Sequence, residues 1–184
     1  MNYDAFSHGQ LKSKLWLCEE LEKHVPDESK VAILGGWYNI LGFLLLVRNQ
    51  AKISSILNID IDSSAIKIAN EINECWMIGN DAKVNNIVAD ATIYNYEGFD
   101  VIVNCSPEHM ASNDWFNNIT DGTLVCIQSS DIDLNDNVWK VTNANKSLDD
   151  FIKKYPLSQT LYKDSIEFVY SEWGYKRFMI IGIK

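Results

Sequence analysis

The chain has 184 residues, of which 47% are hydrophobic and 22% are charged, and this composition suits one globular domain with a buried core. Its net charge is −9, which argues against a broad phosphate-binding surface, because non-specific affinity for nucleic acid comes mostly from Lys and Arg. A polynucleotide substrate is therefore disfavoured, although the net charge does not exclude a local basic groove.

The sequence has no pattern of a membrane span, a secretion signal or a structural metal site. The longest apolar run, residues 40–47, is too short to cross a bilayer, and the N-terminal stretch is polar. The cysteines lack a C-x-x-C pair and a His at metal-ligand spacing, so we expect no metal; they are Cys18, Cys75, Cys105 and Cys126. We expect a cytoplasmic protein in which Cys75 and Cys126 are reduced core thiols.

The first predicted element is a helix that begins after Ser7. Ser7 and Gln10 have the spacing of a capping box. Apolar residues then recur at helical spacing as far as Pro26, which we expect to end the helix; they are Leu11, Leu15, Cys18, Leu21 and Val25. The first turn of a leading helix often borders a ligand pocket. Gln10 and Lys14 are therefore candidates to contact substrate, the alternative being a solvated polar face.

A strand, a tight turn and a helix follow. Four apolar residues, 31–34, lead directly into Gly35-Gly36, and an apolar helical stretch begins at residue 40. This order is typical of a buried parallel strand that ends at a helix N-terminus. A second strand, residues 53–59, ends in Asp60. Glycine backbone on one side and a carboxylate for ribose hydroxyls on the other indicate a site for a nucleoside-bearing ligand.

The alternation continues through the middle of the chain. Asp62 or Ser63 is a candidate cap for the next helix, whose predicted apolar stripe is Ala65, Ala69, Ile72 and Trp76. A third strand at residues 84–89 precedes Asp90-Ala91, and a fourth at residues 99–103 precedes Asn104. Ser106 at the N-cap and Pro107 at the first helical position then predict a short helix.

The last third changes from alternation to a hairpin. A short helix at residues 114–119 and a fifth strand at residues 123–128 precede a polar loop, residues 132–146, with an apolar patch at 138–141. Ser147 is a candidate cap for a helix that runs to Lys154. Two strand-like runs, residues 158–170 and 175–184, predict a terminal antiparallel hairpin.

This order resembles the class I S-adenosylmethionine-dependent methyltransferase fold, from about residue 31 to the end of the chain. The resemblance implies a single α/β domain, residues 1–184, with a doubly wound, seven-stranded, mostly parallel sheet and a C-terminal antiparallel β-hairpin. It also implies S-adenosylmethionine as the cofactor. The implied cofactor contacts follow the first four strands; they are Gly35, Gly36, Trp37, Tyr38, Asp60, Ile61, Asp90, Ala91, Asn104, Cys105 and Ser106.

The chain departs from the family's pattern at two places. Where the family has G-x-G-x-G, the chain has Gly35-Gly36-Trp37-Tyr38-Asn39. We expect the bulky pair in this stretch, Trp37 and Tyr38, to form a wall of the pocket. Residues 104–107 differ from the Asn/Asp-Pro-Pro-aromatic signature of amino methylation on bases, which weakens a DNA methylation hypothesis. The Gly-Trp-Tyr turn and the Glu-His-Met after the fourth strand are also similar to small methyltransferase-like proteins encoded by tailed phages.

Glu108 and His109 are the candidate catalytic residues, because they follow the fourth strand at the sheet edge where open α/β folds bind ligands. A base is needed only if the nucleophile must lose a proton. The alternative is that Glu108 complements a helix dipole and His109 has a packing role. Cys105 as a nucleophile lacks an evident base. Four aromatic residues form either a cage for a sulfonium or ordinary core; they are Trp37, Tyr38, Trp115 and Phe116.

Three functions are compatible with these residues. The first is methyl transfer to a small molecule or a protein side chain. The second is NAD-dependent oxidoreduction, which fits the Gly turn and Asp60 equally well but does not account for Asp90-Ala91 or the terminal hairpin. The third is S-adenosylmethionine binding without catalysis, as in a phage protein that diverts the cofactor from host enzymes. No feature of the sequence predicts an oligomeric state.

Overall fold

The computed structural model describes residues 1–76, 83–132 and 141–184. The helices are α1 (His8–Leu21), α2 (Ile40–Arg48), α3 (Ser63–Trp76), α4 (Asp114–Asn117) and α5 (Leu148–Lys154). The strands are β1 (Ser29–Leu34), β2 (Ile53–Asp60), β3 (Lys83–Val88), β4 (Val101–Asn104), β5 (Leu124–Ser130), β6 (Gln159–Val169) and β7 (Gly174–Ile183). Short 3-10 helices lie at Tyr3–Phe6, Ala91–Ile93 and Pro107–His109.

The seven strands form one sheet in the order β3-β2-β1-β4-β5-β7-β6. The first five pair in parallel, whereas β7 is antiparallel to both β5 and β6. The chain runs outward from β1 to β3 and then returns to place β4 on the other side of β1. The carboxyl ends of β1 and β4 therefore form the switch point, where open α/β sheets bind ligands.

The central strands are buried on both faces, which is why they read as continuous apolar runs. Val31 and Ile33 of β1 pack in a cluster with α1 and α2, whereas Ala32 and Leu34 pack on the opposite face with α4 and α5. All four side chains are 0% exposed. The sheet is thus packed between two apolar layers.

The predicted fold class and the order of elements are confirmed, with bounds that shift by a few residues. The fourth strand begins at Val101 instead of residue 99, and α4 ends at Asn117 instead of residue 119. Both predicted helix caps are present at the ends of the chain: Ser7 Oγ accepts from Gln10 N, and Ser147 Oγ accepts from Asp150 N.

The predicted apolar stripe of α1 was wrong in part. The helix ends at Leu21 and not at Pro26, and Leu15 is 37% exposed. The buried face includes two small residues that hydropathy does not mark, Gly9 and Ser13. These positions bring the helix backbone against the sheet and the hairpin, because Gln128 Nε2 of β5 donates to Ser13 O at 3.0 Å.

Some predictions fall on parts of the chain that the structure does not describe. The core placement of the Cys75 and Trp76 side chains and residues 138–140 of the apolar patch lie outside the described residues. Within the described ranges, no helix is long and apolar enough to cross a membrane. The same ranges contain no group of three or more His, Cys, Asp or Glu side chains that could hold a metal ion.

Candidate functional site

A cavity of about 950 Å³ opens at the carboxyl ends of β1, β2 and β4. Its volume lies within the roughly 300–1,000 Å³ of small-molecule sites. The structure brings ten of the eleven predicted cofactor residues into its wall: Gly35, Gly36, Trp37, Tyr38, Asp60, Ile61, Asp90, Ala91, Cys105 and Ser106. Gln10, Lys14, Glu108 and His109 also line it, so the candidate residues converge on one space.

The Gly turn after β1 is packed tightly against its neighbours. Gly35 has φ of 59°, a region that favours glycine. A Cβ at Gly36 would lie 2.0 Å from Asn58 Oδ1 of β2, so no other residue fits there unless the Asn58 side chain moves. The turn therefore presents its main chain to the cavity at close range.

Trp37 and Tyr38 line the cavity, as expected of a bulky pair in this turn. Their rings stack on each other with centroids 4.3 Å apart. Tyr38 is buried, and its hydroxyl accepts from Asn2 N at 2.9 Å, which fixes the N-terminal segment beside the turn. Trp115 and Phe116, by contrast, are buried in the core with Tyr155, so the ordinary packing alternative holds for that pair.

Asp60 lines the cavity at the end of β2, with its carboxylate oriented by two main-chain amides. Oδ2 accepts from Trp37 N at 2.8 Å, and Oδ1 accepts from Asp62 N at 2.9 Å. Asp62 in turn caps α3, because its Oδ1 accepts from Ser64 N and Ala65 N. The hydrogen bonds from Ser64 lower the pKa of Asp62. Asp60 is thus the carboxylate available to a ligand, and Asp62 is the cap.

Asp90 and Ala91 stand at the cavity wall after β3. Asp90 Oδ1 accepts from Thr92 N at 2.8 Å and from Thr92 Oγ1 at 2.7 Å, and these bonds lower the pKa of Asp90. Ile61 is 74% exposed at the same wall. An ionised carboxylate beside an exposed apolar side chain suits a flat ring that carries a hydrogen-bond donor.

The segment after β4 corrects two predictions. Asn104 is fully buried and does not line the cavity; its Oδ1 accepts from Ser106 N at 2.9 Å and holds the turn. Ser106 does not cap the following 3-10 helix with its side chain, because its Oγ donates to Gly35 O at 3.0 Å. Burial raises the pKa of the Cys105 thiol to about 11, so this thiol stays protonated at neutral pH and is a poor nucleophile.

Glu108 forms a buried ion pair that the sequence did not suggest. Arg177 Nη1 of β7 donates to Glu108 Oε1 at 3.0 Å, and Arg177 Nη2 donates to Cys105 O at 3.1 Å. The Glu108 carbonyl accepts from Thr142 N and Asn143 N, so the residue also anchors the segment before α5. The Glu108 carboxylate is therefore committed to a buried ion pair with Arg177. His109 is exposed and lines the cavity beside it.

Lys14 reaches the larger cavity from α1. Its ammonium donates to Gln10 Oε1, and the side chain is half-buried. Burial lowers the pKa of Lys14 to about 8, with the Cys105 thiol acting in the opposite direction. Desolvation penalises the charged form, so this cation costs stability until an anion approaches it.

A second cavity, of about 250 Å³, adjoins the first. Part of its wall is an aromatic panel, defined as Tyr170, Trp173 and Tyr175 of the β6–β7 hairpin. The two cavities share five lining residues: Asp4, Gln10, Glu108, His109 and Arg177. Lys14 lines only the larger cavity, whereas Gln10 stands between the two.

Sequence reasoning missed Asp4, Arg177 and the aromatic panel. Arg177 carried a signal, because it is the cation directly before the apolar run 178–181 of a predicted strand, and Lys176 beside it would point to the opposite face of that strand. A charge inside such a strand needs a buried partner or a ligand. Asp4 and the panel had no local signal, since their place depends on how the N-terminal segment meets the terminal hairpin.

Comparisons with known proteins give structural matches only. No family model matches the sequence, and no curated protein matches it either. Among solved structures, the N-methyltransferase NodS from Bradyrhizobium japonicum superposes with a TM-score of 0.70 at 12% identity, over 95% of this chain and 97% of that one. Magnesium protoporphyrin IX methyltransferase from Synechocystis, solved with SAH, gives 0.69 at 10% identity over 95% and 83%.

The fold is that of the class I S-adenosylmethionine-dependent methyltransferases. Coclaurine N-methyltransferase, solved with N-methylheliamine and SAH, adds a TM-score of 0.68 at 11% identity over 94% of this chain and 73% of that one. The sheet order with an antiparallel β7 between β5 and β6 fits this methyltransferase fold. The fold implied by the sequence resemblance is therefore confirmed.

Proposed function

We propose that the protein binds S-adenosylmethionine in the larger cavity and transfers its methyl group to a small molecule or a protein side chain in the smaller one. The observation that carries this proposal is the shared wall between two cavities of unequal size at the switch point of a methyltransferase fold. The two cavities adjoin at the residues that they share, so a donor in one and an acceptor in the other would lie close together. Close approach is the main requirement for group transfer.

The residues of the larger cavity fit the cofactor in three places. Asp60, already oriented by main-chain amides, would bind the ribose hydroxyls. Asp90 and Ala91 would meet the adenine amino group, and Ile61 would cover a face of the ring. The main chain at Gly35 would border the methionine part, where the turn has no side chain.

Lys14 supplies the charge that the amino acid end of the cofactor needs. Within the described residues, Lys14 and Arg177 are the cations that line the larger cavity, and Arg177 is paired with Glu108. We therefore assign Lys14 to the cofactor carboxylate, with Gln10 holding the ammonium in place. This refines the sequence-based expectation that both residues contact the methyl acceptor.

His109 is the proposed proton acceptor, and Glu108 is a positioning residue. When bound, S-adenosylmethionine supplies a methyl group already activated by a sulfonium, so the protein's task is to align the reactants and exclude water. His109 is an exposed residue of the wall common to both cavities. Glu108 holds Arg177 and the segment that carries His109, which fixes the geometry of that wall.

Binding and turnover measurements test this proposal. Calorimetry should detect S-adenosylmethionine and S-adenosylhomocysteine but not NAD; binding of NAD alone would overturn the assignment and favour the oxidoreductase alternative. His109→Gln should leave S-adenosylhomocysteine affinity unchanged and slow methyl transfer by about 10²-fold. His24→Gln is the matched control, because His24 lies outside both cavity walls. Tight cofactor binding without transfer to any amine, thiol, phenol or protein acceptor would identify a non-catalytic binding module.

A further inference from the structure

The smaller cavity has an aromatic side built from the hairpin. Trp173 stacks on Tyr170 at 4.7 Å and on Tyr175 at 5.6 Å, so the aromatic panel is one continuous stack. A Cβ at Gly9 would lie 2.8 Å from Tyr175 Oη and 3.0 Å from Tyr170 Oη, so α1 holds both phenols in place. Because stacking covers the ring faces within the panel, the panel offers a cation the outer face of the stack and the phenol oxygens of Tyr170 and Tyr175.

The charges of this cavity have a negative balance. Its guanidinium, Arg177, is neutralised by Glu108 at 3.0 Å. Asp4, half-buried in the same wall, has no ion pair among the described residues, and its cationic neighbour is Lys14, which the proposed function assigns to the cofactor carboxylate. A carboxylate ligand would be repelled by Asp4, whereas an ammonium group would be attracted to it.

Three buried polar atoms of the same wall have no hydrogen-bond partner among the described residues. They are Glu108 Oε2, Ser130 Oγ and Arg177 Nε. The first two accept hydrogen bonds, and the side chains that carry them are at most 3% exposed. Buried acceptors are normally paired, so a polar N–H group in the cavity, direct or through water, would satisfy Glu108 Oε2 and Ser130 Oγ, whereas Arg177 Nε needs an acceptor such as water.

We propose that the methyl acceptor is a small primary or secondary amine that enters the smaller cavity as a cation. This inference rests on the proposed methyltransferase function. Asp4 and the aromatic panel attract the ammonium form, and His109 or solvent takes one proton before transfer. One N–C bond then forms as one S–C bond breaks, with the electron pair of the broken bond retained on sulfur.

Three probes of similar shape test the proposal: phenethylamine, phenethyl alcohol and hydrocinnamate, which are cationic, neutral and anionic at neutral pH. Each is titrated into the full chain saturated with S-adenosylhomocysteine. We expect the amine to bind on the order of ten-fold more tightly than the alcohol, and the carboxylate to bind most weakly. Asp4→Asn should remove the preference for the amine, whereas Trp173→Ala should weaken the binding of both the amine and the alcohol.

Asp27→Asn is the matched control, because it removes one negative charge from an exposed pair with Lys52 outside both cavity walls. It should keep the preference for the amine. Equal binding of the three probes, a preference that survives Asp4→Asn, or no binding of the amine would each overturn the inference. Failure of the protein to bind S-adenosylhomocysteine would instead overturn the proposed function, so the two failures are distinguishable.

Discussion

Replacement of Lys14 by Met should stabilise the free protein and weaken its binding of the cofactor. The folded state lowers the pKa of Lys14 from 10.5 to about 8. Each pKa unit corresponds to about 1.36 kcal/mol, so about 2.5 units set a ceiling of roughly 3 kcal/mol on the cost of burying the ammonium. The bond to Gln10 is also lost. We therefore expect Lys14→Met to raise the free energy of unfolding by about 1–3 kcal/mol, measured by urea denaturation.

The pH dependence gives this prediction its sign. The folded protein releases the Lys14 proton near pH 8, whereas the unfolded chain holds it to about 10.5. Between these values the unfolded state binds more protons, so the stability of the native sequence should rise with pH. The Lys14→Met variant lacks this rise, and its advantage should shrink above pH 8. Parallel stability curves for the two proteins would refute the reasoning.

Ligand binding separates this explanation from simple repacking. Lys14→Met should weaken the binding of S-adenosylhomocysteine, which carries a carboxylate, by about 1–3 kcal/mol. This is the usual range for a charged hydrogen bond. Adenosine lacks that carboxylate, so its affinity should stay the same. Lys52→Met, which removes a cation whose side chain is 72% exposed, should change the affinity for neither ligand. Equal affinity of the Lys14 variant and the native protein for S-adenosylhomocysteine would refute the carboxylate assignment.

Three further substitutions test other parts of the site. Asp60→Ala should weaken the binding of S-adenosylhomocysteine by about 1–3 kcal/mol, measured by calorimetry. Unchanged affinity would contradict the proposal that Asp60 binds the ribose. Glu108→Gln should lower the free energy of unfolding by about 3–5 kcal/mol in urea, because Arg177 keeps a buried charge without its partner. Adding Arg177→Met should recover part of that loss, and additive losses would argue against the ion pair. Asn39→Gly should be about 1–2 kcal/mol more stable than Asn39→Ala, because only Gly is unstrained at φ of 55°; equal melting temperatures would contradict the strain.

The larger cavity could be predicted from the sequence because its residues follow strand ends. A parallel sheet brings the carboxyl ends of its strands to one edge, so Gly35, Asp60, Asp90 and Cys105 needed only correct strand assignments to be placed together. Asn104 is the predicted cofactor residue that lies outside the cavity wall, because its side chain is buried and bonds within the turn after β4. Its amide points into the turn and not into the cavity.

The smaller cavity could not be predicted in the same way, because its walls come from distant parts of the chain. Arg177 and Glu108 are 69 residues apart, and Gly9 packs on tyrosines of the last hairpin. Local patterns carry no record of such pairings. The α1 stripe failed for a related reason: hydropathy selected Leu15, whereas the sheet needed small residues at Gly9 and Ser13 for close approach.

The Gly turn differs in its side chains from the G-x-G-x-G pattern of class I methyltransferases, and its backbone is left-handed at each of the three positions where that pattern has glycine. Gly35, Trp37 and Asn39 stand at the three glycine positions of G-x-G-x-G, and their φ angles are 59°, 52° and 55°. A left-handed residue with a Cβ costs roughly 1–2 kcal/mol, so this chain must hold the turn by contacts. Asp60 accepts from Trp37 N at 2.8 Å and Asn58 donates to Trp37 O at 3.3 Å, both from β2. The carboxylate proposed for the ribose therefore also stabilises the turn proposed for the methionine part, which couples the two halves of the cofactor cavity through one side chain.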